Sequence, residues 1–188
     1  MNKKELRKIC RHRRDALPLP EHRFLSRAIC KKLTQLPVID KAASILAYYP
    51  HKTEVNLLPF LQNKIKTKII CFPKIINNHS MTIHAVRNLK KSFTPGFKGI
   101  PEPVSRTKYQ GQPDIALVPG LGFNKNLFRL GYGGGFYDRF LPACKKTIKI
   151  GCFFNLQQCE ELTAENHDIP LDIIITENRI IGSKKKQM

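Results

Sequence analysis

Between Val118 and Asp138 the chain reads Val-Pro-Gly-Leu-Gly-Phe-Asn-Lys-Asn-Leu-Phe-Arg-Leu-Gly-Tyr-Gly-Gly-Gly-Phe-Tyr-Asp. Gly131, Gly133, Gly134 and Gly135 leave this backbone almost bare of side chains, after an apolar run that reads as a buried strand and before one that reads as a helix. Such a turn lets amide N–H groups converge on an anion, and the start of a helix adds favourable electrostatics. A phosphate fits there. Neither common nucleotide loop is present: G-x-x-x-x-G-K-[ST] occurs nowhere, and G-x-G-x-x-G fails because position 136 is Phe. A tight structural turn would use glycine as well, so the neighbours decide. Arg129, two residues before the first glycine, is placed to grip phosphate oxygens. Asp138 would repel a phosphate unless a cation sat between them, and magnesium is the economical choice.

The flanking sequence shows what must hold this segment. Residues 3–17 read as a helix in which Leu6, Ile9, Cys10 and Leu17 recur at helical spacing, ended by Pro18 and Pro20. A second helix carries Phe24, Leu25, Ala28, Ile29, Leu33 and Leu36 and stops at Pro37. Short β-prone runs follow at 44–49, 68–72, 81–86, 115–118, 148–153 and 173–176. Most are near-continuous apolar runs, the pattern of strands buried on both faces, so the reading is an α/β fold: a three-layer, Rossmann-like domain with a mostly parallel sheet between helices. Residues 55–62 and 135–141 are the expected crossover helices. Residues 95–113, with four prolines and three glycines, read as a long surface loop. The run at 179–181 suggests a terminal antiparallel strand, and Lys184 to Lys186 a frayed tail. A length of 188 residues suits one domain covering 1–188.

Lysine and arginine total 33 against 14 acids, a net charge of +19. The first 94 residues carry most of the excess, which suits an anionic partner or simply a solvated basic surface. No apolar run is long enough to span a bilayer and no signal segment leads the chain, so a cytoplasmic protein without a membrane partner is expected. The six cysteines form no C-x-x-C pair, which suggests reduced thiols rather than zinc ligands or disulfides. A basic nucleic-acid-binding module on an α/β scaffold is the alternative reading. It lacks a zinc finger, an RNP-like motif or a KH loop to support it.

The string RLGYGGGFYD, preceded by PGLGF, resembles the signature of the 5-formyltetrahydrofolate cyclo-ligase (5,10-methenyltetrahydrofolate synthetase) family. The resemblance extends to Lys3-Lys4-Glu5-Leu6-Arg7, similar to the family's K-x-x-L-R, to Glu54 after the first strand and to Asp172 before a late one. It implies a three-layer α/β fold and an ATP- and Mg²⁺-dependent closure of 5-formyltetrahydrofolate to 5,10-methenyltetrahydrofolate, with release of ADP and phosphate. Carried over by residue, it implies that Lys3, Lys4, Glu5, Leu6 and Arg7 bind the nucleotide, with Lys3 and Arg7 on its phosphates. Arg129, Leu130, Gly131, Tyr132, Gly133, Gly134, Gly135, Phe136 and Tyr137 would wrap it. Tyr132 to Phe136, with Tyr49 and Glu54, would touch the folate, Arg129 and Glu54 would be catalytic, and Asp138 and Asp172 would hold magnesium. A monomer acting on a small-molecule folate, its polyglutamylated forms included, is the expected partner picture.

Those residue types suit the chemistry. A formamide is a poor electrophile with a poor leaving group, and phosphorylating its oxygen gives an iminium phosphate that the neighbouring aniline nitrogen can attack. Phosphoryl transfer needs positioning and neutralised charge, which Lys3, Arg7, Arg129 and Mg²⁺ would supply. Glu54 matches the donor edge of a pterin. Two positions depart from the family's usual pattern. Phe136 stands where tyrosine is common, and Asn124 replaces a frequent aspartate after PGLGF.

Overall fold

The computed structural model describes residues 1–182, and the expected tail at Lys184 to Lys186 lies outside the described residues. Helix α1 (Lys3–Asp15) begins with a reciprocal capping pair: Glu5 N–H donates to Asn2 Oδ1 at 3.0 Å, and Asn2 N–H donates to the Glu5 carboxylate at 3.1 Å. Helix α2 (Leu19–Thr34) carries Pro20 in its first turn, where a missing N–H is no loss, and α3 (Pro37–Lys41) begins on a proline. Strand β1 (Ser44–Leu46) follows, then α4 (Leu58–Lys64), β2 (Ile69–Asn77) and β3 (Ser80–Val86). Next come the short strands β4 (Phe93–Pro95) and β5 (Pro101–Pro103), then β6 (Ile115–Val118), β7 (Gly122–Phe123) and β8 (Arg129–Leu130). Helix α5 (Phe136–Phe140), β9 (Ile148–Cys152), β10 (Ile173–Ile175) and β11 (Ile180–Gly182) complete the order.

Seven strands form one sheet in the order β11-β10-β9-β6-β1-β2-β3. The five inner strands run parallel, and β3 and β11 close the two edges antiparallel. Alternation of side chains builds a core on each face. Ile45, Ile70, Ile115, Leu117, Ile150 and Ile173 pack on the side of α2, α3 and α4. Leu46, Cys71, Ala116, Val118 and Ile174 pack on the other side with Leu141 and Phe153. Strands buried on both faces explain the uninterrupted apolar runs of the sequence.

After β1 the chain moves to β2 on one side, whereas β6 inserts on the other side of β1. The loops leaving the carboxyl ends of β1 and β6 therefore diverge, and a crevice opens at this switch point. Three elements differ from the sequence reading. Residues 95–113 are not one irregular loop, because β4 pairs with β5. Glu102 holds the connection, its Oε1 accepting from Phe97 N–H at 3.1 Å and Ile75 N–H at 3.3 Å. Helix α4 begins at Leu58 rather than Val55, since Val55 and Leu57 are buried ahead of it and Asn56 Oδ1 accepts from Leu58 N–H. Helix α5 is only five residues long. No helix among the described residues is long and apolar enough to cross a membrane.

Candidate functional site

The β7–β8 hairpin brings the glycine segment back over the carboxyl end of the sheet. Asn124 organises its turn: Oδ1 accepts from Asn126 and Phe128 N–H at 3.0 Å each, and Nδ2 donates to Leu162 O at 2.9 Å. An aspartate would keep the first two bonds and lose the third, so Asn124 is accounted for by the hairpin. Beyond β8, Gly133 (φ +99°) and Gly135 (φ +64°) take left-handed backbone conformations that favour glycine, and Gly135 caps α5. With α5 so short, the electrostatics expected from a helix terminus pass to side chains.

Those side chains are cationic. Arg129 is buried, with Nη2 donating to Asp138 Oδ1 at 2.9 Å and Nη1 to Ile169 O at 3.1 Å. From α1, Arg7 Nε donates to Gly131 O at 2.9 Å, and Lys3 Nζ lies 2.6 Å from Asp168 Oδ2 and 3.2 Å from Glu165 Oε1. Lys3, Arg7, Arg129, Gly133, Asp138 and Asp168 line a polar cavity of about 160 Å³. Burial works to raise the Asp168 carboxyl, but Glu165 N–H and the Lys3 ammonium outweigh it and hold the group below its ordinary range.

A second, larger cavity of about 590 Å³ lies on the other side of the glycine segment, lined among others by Tyr49, Glu54, Phe97, Tyr132, Phe136 and Tyr137. Arg129, Gly131, Gly135 and Asp138 belong to both walls. Tyr49 packs edge-on against Phe93 with centroids 4.8 Å apart, and Phe136 edge-on against Phe97 at 5.8 Å. Phe136 thus contributes an aromatic wall where a tyrosine would add a hydroxyl. Glu54 is buried, its Oε2 accepting from His51 N–H at 2.8 Å and its Oε1 from the Tyr132 hydroxyl at 2.5 Å. Desolvation dominates this carboxyl and raises its pKa, against the lowering effects of Tyr132, His51 and Arg14. The Tyr137 hydroxyl is buried without a hydrogen-bond partner, an orphaned polar atom in the cavity lining.

Not every expected residue reaches the site. Of the N-terminal five, only Lys3 and Arg7 line the polar cavity. Lys4 is exposed, Glu5 is used in the cap, and Leu6 packs with Cys10, Leu121 and Leu130. Asp172, expected beside magnesium, is placed apart from the other site residues. It precedes β10, at the amino end of the parallel strands and away from the crevice, where its Oδ2 accepts from Lys149 N–H at 2.8 Å and pairs with Lys149 Nζ at 3.0 Å. It lines neither cavity. The late acid that does is Asp168, four residues earlier. Arg14 was also missed, although it lies seven residues after Arg7 on the same stripe of α1 and lines the large cavity.

The family resemblance implies a magnesium ion. Among the described residues no group of three or more His, Cys, Asp and Glu side chains gathers at one point, so the protein alone does not build a metal cage. Two carboxylates, Asp138 and Asp168, on one small polar cavity are nonetheless what Mg²⁺ takes when phosphate oxygens and water complete its shell. The residues fit such an ion.

A switch-point crevice with a charged pocket, where Lys3, Arg7 and Arg129 face Asp138, Glu165 and Asp168, joined through a glycine wall to an aromatic one defines an α/β enzyme. The family described as 5-formyltetrahydrofolate cyclo-ligase matches residues 1–177. The chain is 32% identical over 184 residues to the 5-formyltetrahydrofolate cyclo-ligase of Mycoplasma pneumoniae, covering 94% of this chain and 99% of that one. It resembles the solution structure of 5,10-methenyltetrahydrofolate synthetase from Aquifex aeolicus with a TM-score of 0.87 at 34% identity, over 97% of this chain and 93% of that one. The Mycoplasma pneumoniae 5,10-methenyltetrahydrofolate synthetase superposes with a TM-score of 0.78 at 29% identity, over 94% and 99% of the two chains. This chain belongs to the 5-formyltetrahydrofolate cyclo-ligase family.

Proposed function

We propose that the protein converts 5-formyltetrahydrofolate and ATP into 5,10-methenyltetrahydrofolate, ADP and phosphate. One observation carries this reading: the small charged cavity and the aromatic cavity share a wall made by Arg129, Gly131, Gly135 and Asp138. Two ligands placed in them meet at that wall. The cavity with Lys3, Arg7 and Arg129 takes the triphosphate, and the one with Glu54 and the aromatic rings takes the folate.

In this reading Glu54 receives the donor edge of the pterin, and Tyr49, Phe97 and Phe136 enclose the ring system and exclude water. The formyl oxygen is then presented at the shared wall. There it bonds to the γ-phosphorus as the bond to ADP breaks, and Lys3, Arg7 and Arg129 neutralise the charge gathered on the phosphoryl oxygens. The aniline nitrogen adds to the activated carbon, forming the new C–N bond. Phosphate leaves with the C–O electrons and carries off the nitrogen's proton. Asp138 and Asp168 would hold Mg²⁺, which when bound supplies charge neutralisation on the phosphates. Tyr137, with its unpaired hydroxyl, has a donor free for the substrate.

The test is direct. Purified protein with Mg²⁺, ATP and 5-formyltetrahydrofolate should develop the near-ultraviolet absorbance of the methenyl product and release one phosphate for each ring closed. Folded protein that produces no absorbance change at any ATP concentration would overturn the reading.

A further inference from the structure

Arg14 sits in the last turn of α1 with a side chain almost entirely removed from solvent, 3% exposed. Removing a guanidinium from water is costly unless its charge is compensated. No carboxylate lies within ion-pair distance of it among the described residues. Its partners are two neutral hydroxyls: Nη1 donates to the Tyr132 hydroxyl at 2.6 Å, and Nε to Thr53 Oγ1 at 3.1 Å. Each hydroxyl passes the charge on by donating to an acid, Tyr132 to Glu54 at 2.5 Å and Thr53 to Asp15. The order is carboxylate, hydroxyl, guanidinium, hydroxyl, carboxylate. A hydroxyl that accepts from a cation becomes a stronger donor, so the bonds of this chain reinforce one another.

We propose that Arg14 is a positioning residue for substrate recognition, acting through the Tyr132 hydroxyl to fix the orientation and charge of the Glu54 carboxylate in the large cavity. The inference rests on the reading of that cavity as the folate site. Tyr132 is the only side chain between Gly131 and Gly135, so Arg14 also anchors that segment at its folate-facing end. The charged and titratable groups facing Glu54 come from four elements. They are Arg14 on α1, Tyr132 on the glycine segment, Tyr137 on α5, and Tyr48 and His51 on the loop after β1. His22 of α2 bonds the Glu54 backbone carbonyl at 2.9 Å rather than its carboxyl. Arg14 is the only arginine or lysine among them.

The experiment combines calorimetry with a titration of the Glu54 carboxyl by carbon NMR in ligand-free protein. In Arg14→Met, the dissociation constant for 5-formyltetrahydrofolate should rise at least about tenfold, while that for a non-hydrolysable ATP analogue stays within about threefold. The Glu54 titration should move upward, because a nearby opposite charge that favours the carboxylate is removed. Arg14→Lys should recover most of the titration shift. If Arg14→Met binds folate like the parent, the proposal is overturned. It is overturned equally if both ligands weaken together with an unmoved Glu54 titration, because that pattern marks a role in packing alone. Should Arg14→Met fail to fold, Tyr132→Phe and Thr53→Val decide. The first cuts the link to Glu54 and should weaken folate markedly, whereas the second removes the Thr53 bonds to Arg14 and Asp15 on the far side of the chain and should weaken it less; equal effects refute the relay. A parent protein that binds no folate, with Glu54 still responding to Arg14→Met, overturns the reading of the cavity instead.

Discussion

Arg129 joins β8 to two other parts of the site, and removing it has a cost that can be worked out from its bonds. Arg129→Met deletes the bonds to Asp138 Oδ1 at 2.9 Å and Ile169 O at 3.1 Å. Two charge-assisted bonds at about 1.5–3 kcal/mol each set the scale. The Asp138 side chain is 19% exposed and can recruit water, whereas the arginine is 3% exposed. The expected loss is therefore about 3–5 kcal/mol, the range found when one partner of a buried ion pair is removed. For a chain of this size that lowers the melting temperature by about 6–20 °C. Arg129→Lys keeps a cation against Asp138 and loses the fork to Ile169, so about 1.5–3 kcal/mol is expected. Its turnover should still fall by about a hundredfold or more, since a donor aimed at developing charge is lost. Urea unfolding followed by circular dichroism measures the first quantity and product absorbance the second. Adding Asp138→Asn to Arg129→Met neutralises the stranded acid, so the double variant should be more stable than additivity predicts by about 1–3 kcal/mol. An Arg129→Met variant within about 1 kcal/mol of the parent, or strict additivity with Asp138→Asn, would refute the reasoning.

Three further outcomes are expected. Gly133→Val should weaken binding of an ATP analogue at least about tenfold, because φ is +99° there and a Cβ would stand 3.6 Å from Arg7 Cζ; calorimetry measures it, and unchanged affinity would reduce the segment to a turn. Asp138→Asn and Asp168→Asn should each raise the Mg²⁺ needed for half-maximal turnover by about tenfold or more, while Asp172→Asn should not, and the reverse pattern would restore Asp172 to the metal. The Asp168 carboxyl titrates below its ordinary value of 3.8, so its stabilising effect is complete above that value and disappears as pH falls through the depressed one. Parent and Asp168→Asn should accordingly converge in stability in strong acid, which thermal unfolding between neutral and acid pH would test.

The sequence made the parallel sheet legible because its inner strands are apolar on both faces, and Ile115, Leu117 and Ile150 carry that pattern whatever their neighbours are. The glycine segment was legible as bare backbone beside Arg129 and Asp138, and in the structure it stands between the two cavities. The choice between Asp168 and Asp172 was not. Both are late acids near Pro170, and only the pairing of β10 with β9 shows that Lys149 occupies one of them. Arg14 lay among several basic residues of α1. What separates it from its neighbours is its reach to Thr53 and Tyr132, 39 and 118 residues away, and one-dimensional periodicity carries no such information. The β4–β5 pair was hidden because the four prolines and three glycines of residues 95–113 speak for a loop, whereas the buried Glu102 supplies an acceptor for the backbone N–H groups of Ile75 and Phe97.

The pairing of α1 with the rest of the site also bears on how the protein is made. Arg7 meets Gly131 across 124 residues of chain, and Lys3 meets Asp168 across 165. A ribosome adding about 5–20 residues per second needs roughly 8–33 seconds to cover the longer gap. Throughout that interval α1 is a strongly basic, amphipathic helix whose charged partners have not yet been synthesised. Its apolar stripe faces the same delay, since Leu6 and Cys10 pack on Leu121, Leu130, Cys159 and Leu162. The polar cavity lined by Lys3, Arg7 and Asp168 is consequently assembled last, and a chain stopped short of Asp168 would carry part of the sheet without that cavity. Proteolysis of stalled ribosome-bound chains should therefore find α1 open to cleavage long after β1, β2 and β6 have become protected.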